Sequence, residues 1–304
     1  QVGSRHLGLV LPGEIENLQE QMRQLGDCLE KTLDVDVLLK LGEKADIDVL
    51  GSVTVTADGS SQKCEAQKNA DLVLQNQFAG EKISHSAIPI RLGVAWDEAF
   101  CFYYRDNLEF LEKQGVQIVQ FSPVHDKHLP DDLDGLLLGG GYPELYAKAL
   151  EENETIRNEI RRKAEEDMPI LAECGGYLYL LKELEDENGT GYEMAGVFSG
   201  KGYKKGKNSH FGYITVQTEK DSLYLKAGET IKGHEFHYWE STQDENELKM
   251  QAKKPTGKRS WPCVTVKNQV MAGFPHLYYP SLEGFGERFV QACDRYRMKR
   301  KRQQ

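Results

Sequence analysis

The sequence predicts an α/β fold, a mostly parallel sheet with helices on both faces. Three observations point there. Apolar runs at residues 90–96, 116–121, 136–138 and 170–174 alternate with segments of helical spacing, the order of strands joined by helical crossovers. The run at residues 136–138 is apolar on successive residues, which suits a strand buried on both faces. The stretch Pro169-Ile170-Leu171-Ala172-Glu173-Cys174-Gly175-Gly176-Tyr177-Leu178 reads as a buried strand, a sharp turn and a helix, with a cysteine on the turn.

Taken in order, residues 5–11 read as a short buried strand closed by Pro12-Gly13. Residues 15–33 carry apolar side chains at helical spacing with polar ones between them, an amphipathic helix. Residues 35–41 suit a short helix or a strand, and the chain from Ile47 onward is ambiguous. Residues 57–80 are polar, with Asp58-Gly59-Ser60-Ser61, and read as a linker or exposed loop. Pro89 marks entry to a second domain, so the expected domains are residues 1–88 and 89–304. Within the second, residues 103–114 form a helix stopped by Gly115, and residues 144–166 one long charged helix. From Tyr192 the pattern changes to short strands and turns, such as residues 212–217 and 263–266, an antiparallel extension. Residues 282–297 form the final helix.

The 304 residues suffice for two domains, and a net charge of -10 argues against general binding to nucleic acid or a membrane surface. The one basic run, Arg295-Tyr296-Arg297-Met298-Lys299-Arg300-Lys301-Arg302, finishes a helix, where cations are favoured. The six cysteines, Cys28, Cys64, Cys101, Cys174, Cys263 and Cys293, show neither a CxxC pair nor zinc-like spacing. They fit a reducing, cytoplasmic setting. No apolar run is long enough to span a bilayer.

Cys174 is the candidate nucleophile. The turn lifts it out of the backbone, and the start of the following helix turns N–H groups and a positive dipole end toward the sulfur, which favours thiolate. Upstream, Leu136-Leu137-Leu138-Gly139-Gly140-Gly141-Tyr142-Pro143-Glu144 is a strand ending in a glycine turn whose N–H groups can cradle an anion. The N–H groups of Gly140 or Gly141 and of Gly175 are therefore candidate oxyanion donors. Downstream, His276 lies in the apolar segment Met271-Ala272-Gly273-Phe274-Pro275-His276-Leu277-Tyr278-Tyr279 and is the candidate base. A cysteine, a later histidine and a donor-rich turn are the parts of thiol acyl transfer. His234-Glu235-Phe236-His237 resembles a metal cluster, yet on a strand His234 and His237 face opposite sides, so no metal site is assigned. Asn208-Ser209-His210-Phe211-Gly212-Tyr213 is a candidate for shaping the substrate pocket or a domain contact.

With these residues in view, the chain resembles the C-terminal part of the cobyrinate a,c-diamide synthase family, which carries a glutamine amidotransferase domain of the cobyric acid synthase type. The ordered set that carries the resemblance is Phe100-Cys101-Phe102-Tyr103-Tyr104 with Asn107-Leu108-Glu109, Phe121-Ser122-Pro123, residues 139–144, Ala172-Glu173-Cys174-Gly175-Gly176, Gly233-His234-Glu235-Phe236-His237-Tyr238 and the segment around His276. Residues 1–88 resemble the tail of the family's ATP-dependent synthetase domain, most recognisably at Arg5-His6-Leu7-Gly8-Leu9-Val10. The resemblance implies a class I glutamine amidotransferase-like sheet, preceded by the end of a P-loop-type α/β synthetase domain. It implies that Cys174 and His276 release ammonia from glutamine, and that ATP and Mg2+ drive amidation of two corrinoid carboxylates elsewhere. A homodimer is compatible with it. No G-x-x-x-x-G-K-[ST] occurs in the chain. With Gln1 in place of an initiator Met, the expectation is a fragment whose phosphate loop precedes Gln1.

The chain departs from the wider fold two residues after the histidine. Many amidotransferases place a glutamate there; this one has Tyr278. Either His276 works without a carboxylate or another acid orients it, with Glu235 as a candidate. Two substrate readings stay open, cobyrinate and a related tetrapyrrole such as nickel-sirohydrochlorin. Spacing alone also admits a Cys-His peptidase or another hydrolase of similar fold, or a binding module that keeps the fold without catalysis.

Overall fold

The computed structural model describes residues 17–44, 88–205, 210–243, 248–255, 257 and 259–303. The chain divides into two units, Gln1–Ser84 and His85–Gln304. In the first, the amphipathic pattern produces α1 (Leu18–Thr32), and residues 35–41 resolve as helix, within α2 (Val35–Lys44). The strand expected at residues 5–11, the ambiguous chain after Ile47 and the linker at residues 57–80 lie outside the described residues.

The second unit begins with β1 (Ile90–Ala95), β2 (Phe100–Phe102), α3 (Arg105–Lys113), β3 (Val116–Phe121), β4 (Gly135–Leu138) and β5 (Gly140–Gly141). A 3-10 turn at Pro143–Leu145 leads to α4 (Ala147–Glu152), α5 (Glu154–Glu165), β6 (Ile170–Glu173) and α6 (Gly175–Leu180). Short strands follow: β7 (Glu183–Glu185), β8 (Gly191–Glu193), β9 (Lys201–Lys204), β10 (Phe211–Gln217), β11 (Thr230–Phe236) and β12 (Trp239–Ser241). The chain closes with β13 (Leu248–Lys253), β14 (Ser260–Lys267), β15 (Val270–Gly273), β16 (His276–Leu277), a 3-10 turn at Tyr279–Ser281 and α7 (Phe285–Gln303).

One sheet runs β16-β11-β10-β13-β14-β15-β6-β4-β1-β3. From β3 to β15 every pairing is parallel; beyond β15 every pairing is antiparallel. The expected antiparallel extension thus continues the parallel sheet. A four-stranded sheet, β12-β9-β7-β8, and the pair β2-β5 stand beside it.

The strands alternate between two cores, as the period of two requires. Leu136, Leu138, Ile170 and Ala172 face one core, which α5 joins through Ile156 and Ile160 and α6 through Tyr177 and Leu178. Leu137, Leu171, Leu92 and Val94 face the other, packed by Leu111 of α3 and by Phe285 and Phe289 of α7. Burial on both faces is why these strands read as continuous apolar runs.

The single long helix expected at residues 144–166 is broken in two. Asn153 sits between α4 and α5 with φ -85° and ψ 62°. Its side-chain amide donates to the carbonyls of Pro123 (2.8 Å) and Asp126 (2.7 Å). These distant backbone acceptors hold the break, and helical spacing cannot register them.

Candidate active site

Cys174 links β6 to α6 with φ 49° and ψ -102°. A non-glycine residue at positive φ is strained, and such strain gathers at functional turns. The turn is held on both sides. The Cys174 N–H donates to the Gly273 carbonyl (2.8 Å), and the Gly176 N–H donates to the Gly139 carbonyl (2.8 Å). A Cβ on Gly176 would strike the Leu138 carbonyl, so the second glycine of the motif is a steric requirement of the turn.

Gly175 and Gly141 meet at this turn. The Gly175 N–H favours the ionised Cys174 sulfur, and Gly141 N lies 3.0 Å from where a Cβ on Gly175 would sit. The Tyr142 N–H donates to the Ala99 carbonyl (2.9 Å), next to the Phe100–Gly141 pair. That bond marks Phe100–Gly141 as a non-hydrogen-bonded pair, whose N–H groups point away from the ladder. Gly140 has a different part: a Cβ there would run into Cε1 of His276. Its missing side chain is the space the imidazole occupies.

His276 is 5% exposed and starts β16. The edge of Phe102 meets its ring at 4.6 Å between centroids. Its segment is clamped by Asn107, whose amide donates to the Leu277 carbonyl (2.7 Å) and accepts from the Tyr279 N–H (2.9 Å). Nδ1 of His276 is buried without a hydrogen bond. The nearest carboxylate to it belongs to Glu173, the residue before the nucleophile, with Oε2 3.9 Å from Nδ1. The other oxygen of Glu173 accepts from the Tyr279 hydroxyl (3.0 Å) and the Leu277 N–H (3.3 Å).

Glu235, the candidate orienting acid from the sequence, is elsewhere. It accepts from Nε1 of Trp261 (3.0 Å) and lies beside His237 and His210. The period of two explains the correction: Glu235 and His234 alternate along β11, and it is His234 that pairs in register with His276. Glu173 carried a usable signal, since an acidic residue ending a buried strand needs a partner. Tyr278 points outward, 36% exposed, and its hydroxyl donates to Asp106 (3.2 Å).

The electrostatics also correct the expected thiolate. Burial, then the Glu144 carboxylate, push the Cys174 thiol up to about 12, and the Gly175 N–H offsets only part of this. Burial, with His234 and His237 adding to it, holds His276 down to about 3. Burial raises Glu173 to about 8, against the bonds from Tyr279 and Leu277. The resting site at neutral pH is therefore a thiol, a neutral imidazole and a protonated carboxyl. Desolvation outweighs the helix start here. Such an imidazole can take the thiol proton as the sulfur attacks, so a standing ion pair is not needed. Glu144→Gln removes the largest charge opposing the thiolate. Iodoacetamide labelling of Cys174 should then set in at lower pH than in the parent; an unchanged profile would mean that burial alone sets it.

Of the sequence-derived candidates, the structure brings Cys174, Gly175 and Gly141 together at one turn and places His276 against Gly140. His234 and His237 are separated as expected: His234 meets the rings of Phe211 and Tyr213, whereas His237 stacks on Phe274 at 3.9 Å. Residues 208–209 lie outside the described residues. Among the described residues no helix is long and apolar enough to cross a membrane.

The family model for the CobB/CobQ-like glutamine amidotransferase domain matches residues 91–282. A protein of Caldanaerobacter subterraneus subsp. tengcongensis named cobyrinate a,c-diamide synthase is 34% identical over 97% of this chain and 59% of its own length. One of the same name from Picrophilus torridus is 34% identical over 96% of this chain and 58% of its own length. The chain thus spans less than two thirds of these relatives. A solved structure of PurLQS from Thermotoga maritima aligns with 69% of this chain and 99% of that one, at 19% identity and a TM-score of 0.47.

Proposed function

The chain belongs to the CobB/CobQ-like glutamine amidotransferase family, and from that premise we propose that it hydrolyses glutamine to supply ammonia to an amide-forming synthetase. The strained turn that presents Cys174 carries this reading. Sγ attacks the side-chain amide carbon of glutamine, and His276 takes the thiol proton. The N–H groups of Gly175 and Gly141 hold the oxyanion. His276 returns the proton to the leaving nitrogen, ammonia departs, and water then frees glutamate from the thioester.

The relatives' name suggests cobyrinate as the acceptor, with amidation of its a and c carboxylates; nickel-sirohydrochlorin is the runner-up. The synthetase part would be supplied in residues 1–88 and in sequence this chain does not contain. ATP and Mg2+ belong to that part. The chain has no phosphate-cradling P-loop sequence, so none of its residues is assigned to them. A cytoplasmic location and a homodimer fit such an enzyme.

Ammonia release from glutamine by the purified chain tests the central reading. A folded chain that leaves glutamine intact while cleaving peptides would favour the peptidase alternative.

Glu173 is the proposed positioning group for His276. Its carboxylate form stabilises the imidazolium that arises when His276 takes the Cys174 proton. Because burial raises Glu173 to about 8, the carboxylate is scarce below that pH. Glutamine turnover should therefore rise with a limb near pH 8. Glu173→Gln should erase that limb and lower kcat above it by about 10- to 10²-fold, the modest end of acid–base effects. A limb unchanged in the variant would remove Glu173 from this role.

A further inference from the structure

A cavity of about 170 Å³ is lined by His210, Glu235, Glu240, Lys205, Trp261 and Phe274. At one end three ligand-type groups converge: His210, Glu235 and His237 each bring one nitrogen or oxygen within 4.8 Å of the others. Oε2 of Glu235 is 3.8 Å from Nε2 of His237 and 4.0 Å from Nδ1 of His210.

The hydrogen bonds fix what these atoms can be. Nδ1 of His237 lies 2.6 Å from the Trp239 carbonyl. A carbonyl only accepts, so Nδ1 carries a proton. In the neutral ring Nε2 is then a bare lone pair. That atom is buried, in a side chain 5% exposed, with no hydrogen-bond partner. It faces Oε2 of Glu235, which is also a lone-pair atom. In that form two acceptors face each other at 3.8 Å.

The charge balance agrees. Glu235 is 1% exposed. Its neutral support is the Trp261 indole N–H (3.0 Å), and among the described residues no arginine or lysine pairs with it. Lys205 reaches Glu240 (3.6 Å) instead. A buried carboxylate without a cation is costly. The outer groups already have the form that orients ligands: a carbonyl on the far nitrogen of His237, an indole on Glu235, and ring stacking that fixes each imidazole. His237 stacks on Phe274 at 3.9 Å, and His210 on Trp261 at 4.3 Å.

We propose that His210, Glu235 and His237 form a binding site for a divalent transition-metal ion of the zinc class. Two imidazoles and one carboxylate suit zinc in a tetrahedral site. Ligand bonds of about 2.0–2.2 Å set ligand atoms about 3.3 Å apart, so the observed separations close with side-chain shifts below about an ångström. The fourth position falls to water, on the side where Oε1 of Glu240 is 3.9 Å from Nδ1 of His210. The ion ties the start of β10 to the end of β11 beside Phe274, two residues before His276.

The test uses the whole chain, stripped with a chelator, dialysed and titrated with Zn2+ or Co2+ alone. One equivalent should bind, with ligand-field bands of tetrahedral Co2+ and no sulfur-to-metal charge transfer. At 100-fold excess over Kd, Zn2+ should raise Tm by roughly 5–10 °C. His237→Ala and Glu235→Gln should each cut bound metal to below about a tenth of an equivalent. His210→Ala, at a half-buried position, covers the case in which those variants fail to fold. His234→Ala should keep the full equivalent. A folded, stripped chain that takes up neither ion overturns the site, as does metal retained in both His237→Ala and His210→Ala. Stability that instead rises on acidification, with no response to metal, would mean that a protonated His237 pairs with Glu235 and would also overturn it.

Discussion

Cys174→Ala should abolish glutamine hydrolysis, with turnover falling by roughly 10⁴-fold or more, the scale for losing a covalent nucleophile. The sulfur forms the bond to the substrate carbon, and nothing else on the turn replaces it. Folding should survive. The strained φ of 49° and the two backbone bonds that hold the turn do not involve the sulfur, and the cavity left is one atom in size. In a full-length relative of this architecture the matching change should stop glutamine-dependent amidation and spare amidation fed with free ammonia. Equal loss with both nitrogen donors would count against a separate ammonia source. Cys101→Ser is the control. Cys101 also lies in a strand of the same unit, in β2, and its removal should leave glutaminase activity intact.

The second large effect is at His276. His276→Ala should lower glutamine turnover by about 10²- to 10⁴-fold, the usual contribution of a positioned acid–base group. KM should move far less, because the imidazole acts on the reacting amide and not on the amino-acid end. Gly140→Ala should reproduce much of the loss. The added methyl runs into the imidazole carbon Cε1 and not into backbone, so the ring swings away while the fold stays. Tyr278→Phe should do little, since that hydroxyl is spent on Asp106 at the surface. A folded His276→Ala variant with the parent rate would leave Cys174 in need of another base.

The sequence by itself determined the sheet and the turn. Residues 136–138 and 170–172 are apolar at every step because both faces are covered, so their burial was legible without partners. The steric need for Gly176 was not legible: its missing side chain makes room for the Leu138 carbonyl, a contact only the tertiary structure brings. The tertiary structure decided what depends on groups far apart in the chain. Glu173 and His276 are distant in sequence and become neighbours because β15 pairs with β6, which sets Gly273 opposite Glu173 three residues before His276. Asn153 breaks a helix through carbonyls of another loop. The protonation states of Cys174, Glu173 and His276 were beyond local reading altogether. A helix start and a nearby carboxylate are visible in sequence, but desolvation comes from whole layers packed around the site, and in this molecule it outweighs both.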